Sequence, residues 1–275
     1  MFTNNPFAAA APLLPAGFLQ WYLVVMVVLV IAGTIIDVVH KGSARYFFAN
    51  MRKPRGKATR QIGGGEMLSI AAHTAIVDVM ASGEFCNTRR RIAHLLTMWG
   101  FLLYLATTVI LVFRYSTAAT PAPEAVPMLW WIGAAMVAVG GYWFWFFIRV
   151  DVAAEGKSRW RIVRADLFVL SLLASVTLGI AWAWNGGGAG VLFWLYLLAT
   201  TVLFGSVFWS KFAHMFFKPA AAFEKRLSNA NGTAENLPQQ TRDDPEQQKK
   251  HSMELLRDAP MDMGLGIKRE APHHY

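Results

Sequence analysis

Two histidines lie inside apolar runs, where a titratable side chain needs a reason. His94 stands near the start of the run 92–113, directly after three arginines, and His214 lies near the end of the last run, 191–217. A helix of about 20 apolar residues is long enough to cross the hydrocarbon of a bilayer. Polar side chains at that depth are costly and usually have a partner or a function. The chemistry open to two imidazoles is metal coordination through one ring nitrogen each.

The composition indicates an all-α integral membrane protein. The chain has 275 residues, of which 55% are hydrophobic and only 16% charged, with 11 Trp and 19 Phe. Its net charge is +9, but the basic residues cluster in the loops that flank the apolar runs, so the charge does not indicate a nucleic-acid partner. The single cysteine, Cys86, excludes an internal disulfide, a cysteine-ligated iron–sulfur cluster and a thiolate zinc site built by this chain alone.

Hydropathy and turn signals predict five transmembrane helices. Ten Lys and Arg residues lie in 40–91 and five in 149–165, against one in 114–127. The positive-inside rule therefore places the N-terminus outside and the C-terminus in the cytoplasm, as expected for a multi-pass protein of a bacterial inner membrane. The predicted spans are at about 18–39, 92–113, 128–148, 167–184 and 191–217.

Two further features are predicted on the cytoplasmic side of this membrane domain, which covers 1–223. Within the basic loop 40–91, the apolar positions of 66–81 recur at helical spacing and predict an amphipathic helix that lies on the membrane or on a partner. The tail, 224–275, is charged and rich in Gln, Pro and Asn, which predicts a flexible segment or one that orders against a partner.

This topology brings the two histidines to the same predicted depth. His94 starts the second span and His214 ends the fifth, so both fall near the cytoplasmic side. Two histidines at matching depth on different helices are what a six-coordinate haem b requires, with one nitrogen from each on the iron. The alternative is that each ring sits at the headgroup level or bonds a backbone carbonyl.

Other residues near this depth could take part in the same site. His40 and His73 are on the predicted cytoplasmic side, and His73, on the amphipathic helix, is the third-ranked ligand candidate. Arg91 and Lys211 lie within a few residues of the histidine pair and are candidates for contacts with the haem propionates.

The sequences around both histidines resemble a known group of membrane subunits. RRRIAHLLTMWGF (89–101) and KFAHMFFKP (211–219) resemble the five-span cytochrome b subunits of the nitrate reductase gamma, heterodisulfide reductase and sulfite-reductase-associated type. The longer stretch 63–101 is more closely similar to the membrane anchor subunits of adenylylsulfate reductase from sulfur-oxidising bacteria. In the wider group, histidines on spans two and five ligate haem. Nitrate-reductase-type subunits have two histidines on each of these spans and bind two haems. Here the outer halves of spans two and five, 103–113 and 192–205, contain no histidine, so a second, outer haem is not expected.

The resemblance implies a partner and a reaction. The partner would be a cytoplasmic flavin and iron–sulfur enzyme that oxidises sulfite with AMP to adenylylsulfate, and its electrons would pass through this subunit to the quinone pool. The chain is not expected to carry out the sulfur chemistry, because it has no phosphate-cradling glycine loop with a lysine in frame. A quinone-reducing role is open, with one haem b as cofactor and quinone as substrate.

Two rival interpretations belong to other classes of protein. A haem-free structural anchor would bind a cytoplasmic oxidoreductase through the basic loop and the tail. A small transporter would use intramembrane polar groups, but five spans do not divide into equal repeats and no paired broken helices are evident.

Overall fold

All the regular secondary structure in the described part of the chain is helical. The computed structural model describes residues 2–41, 58–83, 85, 87–149, 158–163, 166–209 and 214–233, without the side chains of Val38, Lys41 and residues 214–218. A 3-10 turn, Ala11–Leu13, follows the first helix, and π-helical segments, Thr74–Met80 and Phe144–Ile148, continue α3 and α5. The helices are α1 (Pro6–Ala10), α2 (Phe18–Lys41), α3 (Gly64–His73), α4 (Thr88–Arg114), α5 (Ala125–Trp143), α6 (Leu167–Trp184), α7 (Val191–Gly205) and α8 (His214–Ala230).

Four of the helical segments are long and apolar enough to cross a membrane, and they coincide with the first four predicted spans. Their bounds are Phe18–Asp37, Thr88–Arg114, Ala125–Ile148 and Leu167–Trp184. The protein is therefore a helical, multi-pass membrane protein. The fifth predicted span, 191–217, differs, because α7 has only 15 residues and is followed by a turn in which Trp209 N–H donates to the Ser206 carbonyl at 3.0 Å. A fifth crossing and the orientation remain predictions.

Contacts between the helices define two ends of the bundle. Arg90, at the start of α4, donates to the carbonyl of Ile148 at 3.3 Å, so α5 ends where α4 begins. About three turns further along α4, the ring of Phe101 packs 6.4 Å from that of Phe204 near the end of α7. We call this the His94 end. At the opposite end, which we call the Phe7 end, the ring of Phe18 at the start of α2 lies 5.9 Å from that of Trp194.

Small residues bring α4 and α5 into the most extensive helix contact of the bundle. A Cβ on Gly133 would lie 2.7 Å from the backbone nitrogen of Tyr104, and one on Gly140 would lie 2.8 Å from the carbonyl of Ala93. Glycines allow the backbones to approach this closely, which is how helices associate in lipid. The contact fixes the rotation of α4: Ala93 is buried against α5, and His94, one residue on, faces away from it.

The Phe7 end is closed by the N-terminal segment. The side chain of Asn5 caps α1 and also donates to the carbonyl of Tyr115 at 2.6 Å, which ties α1 to the end of α4. Phe7 is 2% exposed and packs edge-on against Trp182 and Trp130, at 5.1 and 6.0 Å between ring centroids. Large aromatic rings thus fill this half of the bundle.

At the His94 end, α3 and its π-helical continuation pack against α8. Arg226 forms a two-pronged ion pair with Asp78, with Nη2 2.8 Å from Oδ1. Only 7% of the Asp78 side chain is exposed, and the Arg226 guanidinium holds the pKa of that carboxyl below its usual range. The predicted boundary between membrane domain and tail, at 223/224, falls inside α8. Residues 234–275 of the predicted tail lie outside the described residues.

Candidate functional site

His94 is oriented by a hydrogen bond to a buried serine. Its Nδ1 lies 2.9 Å from the Oγ of Ser82, and its ring packs against Phe85 at 4.9 Å between ring centroids. Ser82 is 1% exposed and has a φ of 52°, a left-handed conformation that is costly for any residue but glycine. The hydrogen bond fixes the ring and engages Nδ1, so coordination of a metal by His94 would use Nε2.

Ser82 is held in place by the way the π-helical segment ends against α4. The last carbonyls of the π-helical segment accept hydrogen bonds from side chains of α4. Arg91 Nε donates to the Ala81 carbonyl at 2.9 Å, and Trp99 Nε1 donates to the Met80 carbonyl at 3.1 Å. Arg91 is well suited to this place, because a cation is favourable at a helix C-terminus. The amphipathic helix is thus joined to α4 on both sides of His94.

The structure places His40 at nearly the depth of His94. His40 near the end of α2 contacts the ring of Phe208, at 5.6 Å between ring centroids. Gly33 of α2 contacts Val207, and Phe101 of α4 contacts Phe204. Both helices therefore contact the segment around the end of α7. His40 is seven residues beyond Gly33, and His94 is seven residues before Phe101. Each histidine therefore lies about 10 Å from these contacts, toward the His94 end.

The remaining predicted site residues are only partly covered by the structure. The backbone of His214 begins α8, but its side chain lies outside the described residues, as does Lys211 entirely. His73 is exposed at the end of α3, outside the candidate spans. We call α3 and its π-helical continuation, 64–80, the capping helix, because it covers part of the His94 end. Arg91 is one turn from His94, with its Nε committed to the Ala81 carbonyl. In the described ranges, no group of three or more His, Cys, Asp or Glu side chains is placed to hold a metal ion.

The middle of the bundle holds hydroxyl groups that sequence reasoning missed. The hydroxyl of Tyr104 donates to that of Tyr196 at 3.2 Å, and Ser175 and Thr200 are hydrogen-bonded at 2.8 Å. The cavity beside them has a volume of about 30 Å³. Cofactor-sized ligands occupy sites of about 300–1,000 Å³, so a macrocycle does not fit there. Trp182, stacked on Tyr196 at 5.4 Å, closes the space toward the Phe7 end.

Ser82 was also missed from the sequence. The sequence signal available was the run SGEFCN between two helical patterns, which marks a turn but not its contact with a histidine 12 residues later. The hydroxyl groups at the bundle centre appear in the sequence only as isolated Tyr, Ser and Thr residues in apolar runs, and such residues do not predict which of them form hydrogen bonds with each other.

Comparison with known proteins gives one distant relative. The chain is 29% identical over 163 residues to citrate utilization protein B from Escherichia coli. The match covers 56% of this chain and 43% of that protein, so the chain spans less than half the length of this relative. No protein-family model matches the chain, and no solved structure matches it. The similarity does not support the adenylylsulfate reductase anchor family specifically.

Proposed function

We propose that the chain is the membrane anchor and electron-transfer subunit of a cytoplasmic oxidoreductase, and that it relays electrons to quinone through one haem b held by His94 and His214. The observation that carries the proposal is the hydrogen bond between His94 Nδ1 and Ser82 Oγ. Histidines that ligate metals almost always bond a second group through the other ring nitrogen, which sets the tautomer and the ring orientation.

The two ends of the bundle differ in how well they suit a haem. The Phe7 end is filled by Phe7, Trp130 and Trp182, and the cavity at the centre is too small. At the His94 end, the imidazole of His94 on α4 is oriented by its hydrogen bond, and α8 begins at His214. These observations favour a single site at the His94 end.

The residues at this end have separate tasks in the proposal. His94 and His214 bind the iron, and Ser82 keeps the His94 ring in the orientation that presents Nε2. Arg91, one turn before His94, is a candidate for a propionate. The haem supplies one-electron transfer when it is bound, and its potential depends on its axial ligands and on their hydrogen bonds.

Two similarities of the chain point to different partner enzymes. The resemblance at 63–101 favours adenylylsulfate reductase, whereas the relative found by comparison is named for the use of citrate. Co-purification from mild detergent, followed by assays with sulfite and AMP and with citrate, distinguishes these two partners. The bacterial inner membrane and a cytoplasmic C-terminus belong to the same proposal.

The test is a visible spectrum of the purified protein, oxidised and reduced. We expect a Soret band and a sharp α band after reduction, both lost in His94→Ala and His214→Ala. His73→Ala is the matched control and should keep both bands, because His73 lies on the capping helix. A colourless protein with normal helical content would contradict the haem and leave the haem-free anchor.

A further inference from the structure

A short basic and aromatic loop at the His94 end exposes apolar side chains. In the described residues 158–163 between α5 and α6, Trp160 is 75% exposed and Ile162 is 67% exposed. Arg159 and Arg161 alternate with them. Large apolar side chains between cations are typical of a surface that meets the boundary between lipid headgroups and acyl chains.

This loop is held in place by a buried arginine. Arg149 is 4% exposed, and its Nη2 donates to the carbonyl of Arg161 at 2.7 Å. Its Nη1 pairs with Asp166 at 2.8 Å, and the same carboxylate accepts the N–H of Val163 at 3.0 Å. The guanidinium also stacks on Trp145, 3.9 Å from the ring centroid. Because Arg149 and Asp166 hold the loop backbone, the exposed side chains of the loop have a fixed position on the surface.

The loop folds back onto the side of a span. The ring of Trp160 packs edge-on against Phe146, at 5.5 Å between ring centroids. The guanidinium of Arg159 lies 5.1 Å from the centroid of Phe147, which is itself 58% exposed. Both phenylalanines belong to the last turns of the candidate span Ala125–Ile148, so Trp160 lies beside the end of that span.

We propose that this loop is a binding site for an anionic phospholipid. Arg159 binds the phosphate, and Trp160 lies along the glycerol and upper acyl chain. A lipid is favoured over a protein partner because the surface that supports the loop is the exposed flank of a membrane span, continuous with the surface that lipid already covers. The site is independent of the haem proposal.

The first experiment measures lipid affinity. Fluorescent phosphatidylglycerol is titrated into the full-length protein in a neutral detergent, with phosphatidylcholine as the uncharged comparison. One cation near an anionic surface is worth roughly a fivefold change in affinity, so Arg159→Gln should weaken binding about fivefold. Arg159→Lys should restore most of it, and Trp160→Ala should weaken it. Arg60→Gln, which removes an exposed cation elsewhere, is the control and should bind as the unmodified protein does.

The second experiment locates the loop in a bilayer. Ile162→Cys in a Cys86→Ser background is labelled with bimane in phosphatidylglycerol vesicles, and brominated lipid should quench it strongly. Asn229→Cys, exposed on α8, should be quenched weakly. Equal affinity of Arg159→Gln and the unmodified protein, or equal binding of both lipids, would overturn the proposal. So would a label at position 162 that only a water-soluble quencher reaches, because the loop would then face solvent rather than lipid.

Discussion

Replacing Ser82 by glycine separates the stability of the fold from the orientation of His94. The left-handed backbone at Ser82 costs a non-glycine residue about 1 kcal/mol, and glycine removes that cost. The substitution also removes the hydrogen bond to His94 Nδ1, whose net contribution is about 1 kcal/mol. These two effects have opposite signs, so the free energy of unfolding should change little.

The effect on haem binding should be large by comparison. Loss of the group that orients a ligating histidine typically lowers affinity for the metal about 10- to 100-fold. We therefore expect Ser82→Gly to unfold within a few degrees of the unmodified protein and to bind haem 10- to 100-fold more weakly. Ser82→Ala, which keeps the strained φ, should show the same loss of affinity together with a melting temperature lower by roughly 2–4 °C for each kcal/mol.

The assay is a titration of haem into haem-free protein, followed at the Soret band, beside thermal unfolding in the same detergent. Ser69→Ala, an exposed serine on the same capping helix, is the control and should leave both measurements unchanged. Unaltered haem affinity in Ser82→Gly would refute the role assigned to the serine. A complete lack of haem in the unmodified protein would instead refute the proposed function.

Three further predictions concern the fold. Phe7→Ala should destabilise the Phe7 end by about 3–5 kcal/mol, measured by thermal unfolding, because it empties a fully packed site. Asp166→Asn should cost about 3–5 kcal/mol because it leaves Arg149 buried without its charge partner, and Arg149→Met/Asp166→Asn should recover part of it. The Asp78–Arg226 pair, with the Asp78 pKa lowered in the fold, should stabilise the contact between α8 and the π-helical segment fully above about pH 4. The contact should weaken as the pH falls below this, seen as lower protection factors in α8 after correction for the intrinsic exchange rate at each pH.

Each of these predictions has an outcome that contradicts it. An unchanged melting temperature for Phe7→Ala would mean that the N-terminal segment does not close the bundle. A double variant at Arg149 and Asp166 as unstable as the single one would locate the effect elsewhere. Protection factors in α8 that already fall between pH 8 and 5 would assign the pH dependence to a group other than Asp78.

The positions of the long spans could be predicted from the sequence, because lipid requires long apolar helices and these are visible in composition. The end of α7 could not, since its apolar run continues past Gly205 and only the turn at Ser206 stops the helix. The short α1 carries a readable signal, Asn5 as cap before Pro6, but nothing local shows that Phe7 packs into the bundle.

The candidate site was predictable in part. His94 is conspicuous because it is an imidazole in an apolar run. Its orientation depends on Ser82, which reaches it only because the π-helical segment ends against Arg91 and Trp99. Such contacts join segments that no periodicity relates, so they appear only in three dimensions.

The shortness of α7 has a consequence for the membrane around the protein. Its 15 residues cover about 22 Å, roughly 8 Å less than the usual hydrocarbon thickness. Trp194 and Trp209, which are 50% and 57% exposed, lie near its two ends, as interfacial tryptophans do. If α7 is the predicted fifth span, lipids with shorter chains would match this flank at lower elastic cost, and the bilayer beside it would be locally thin.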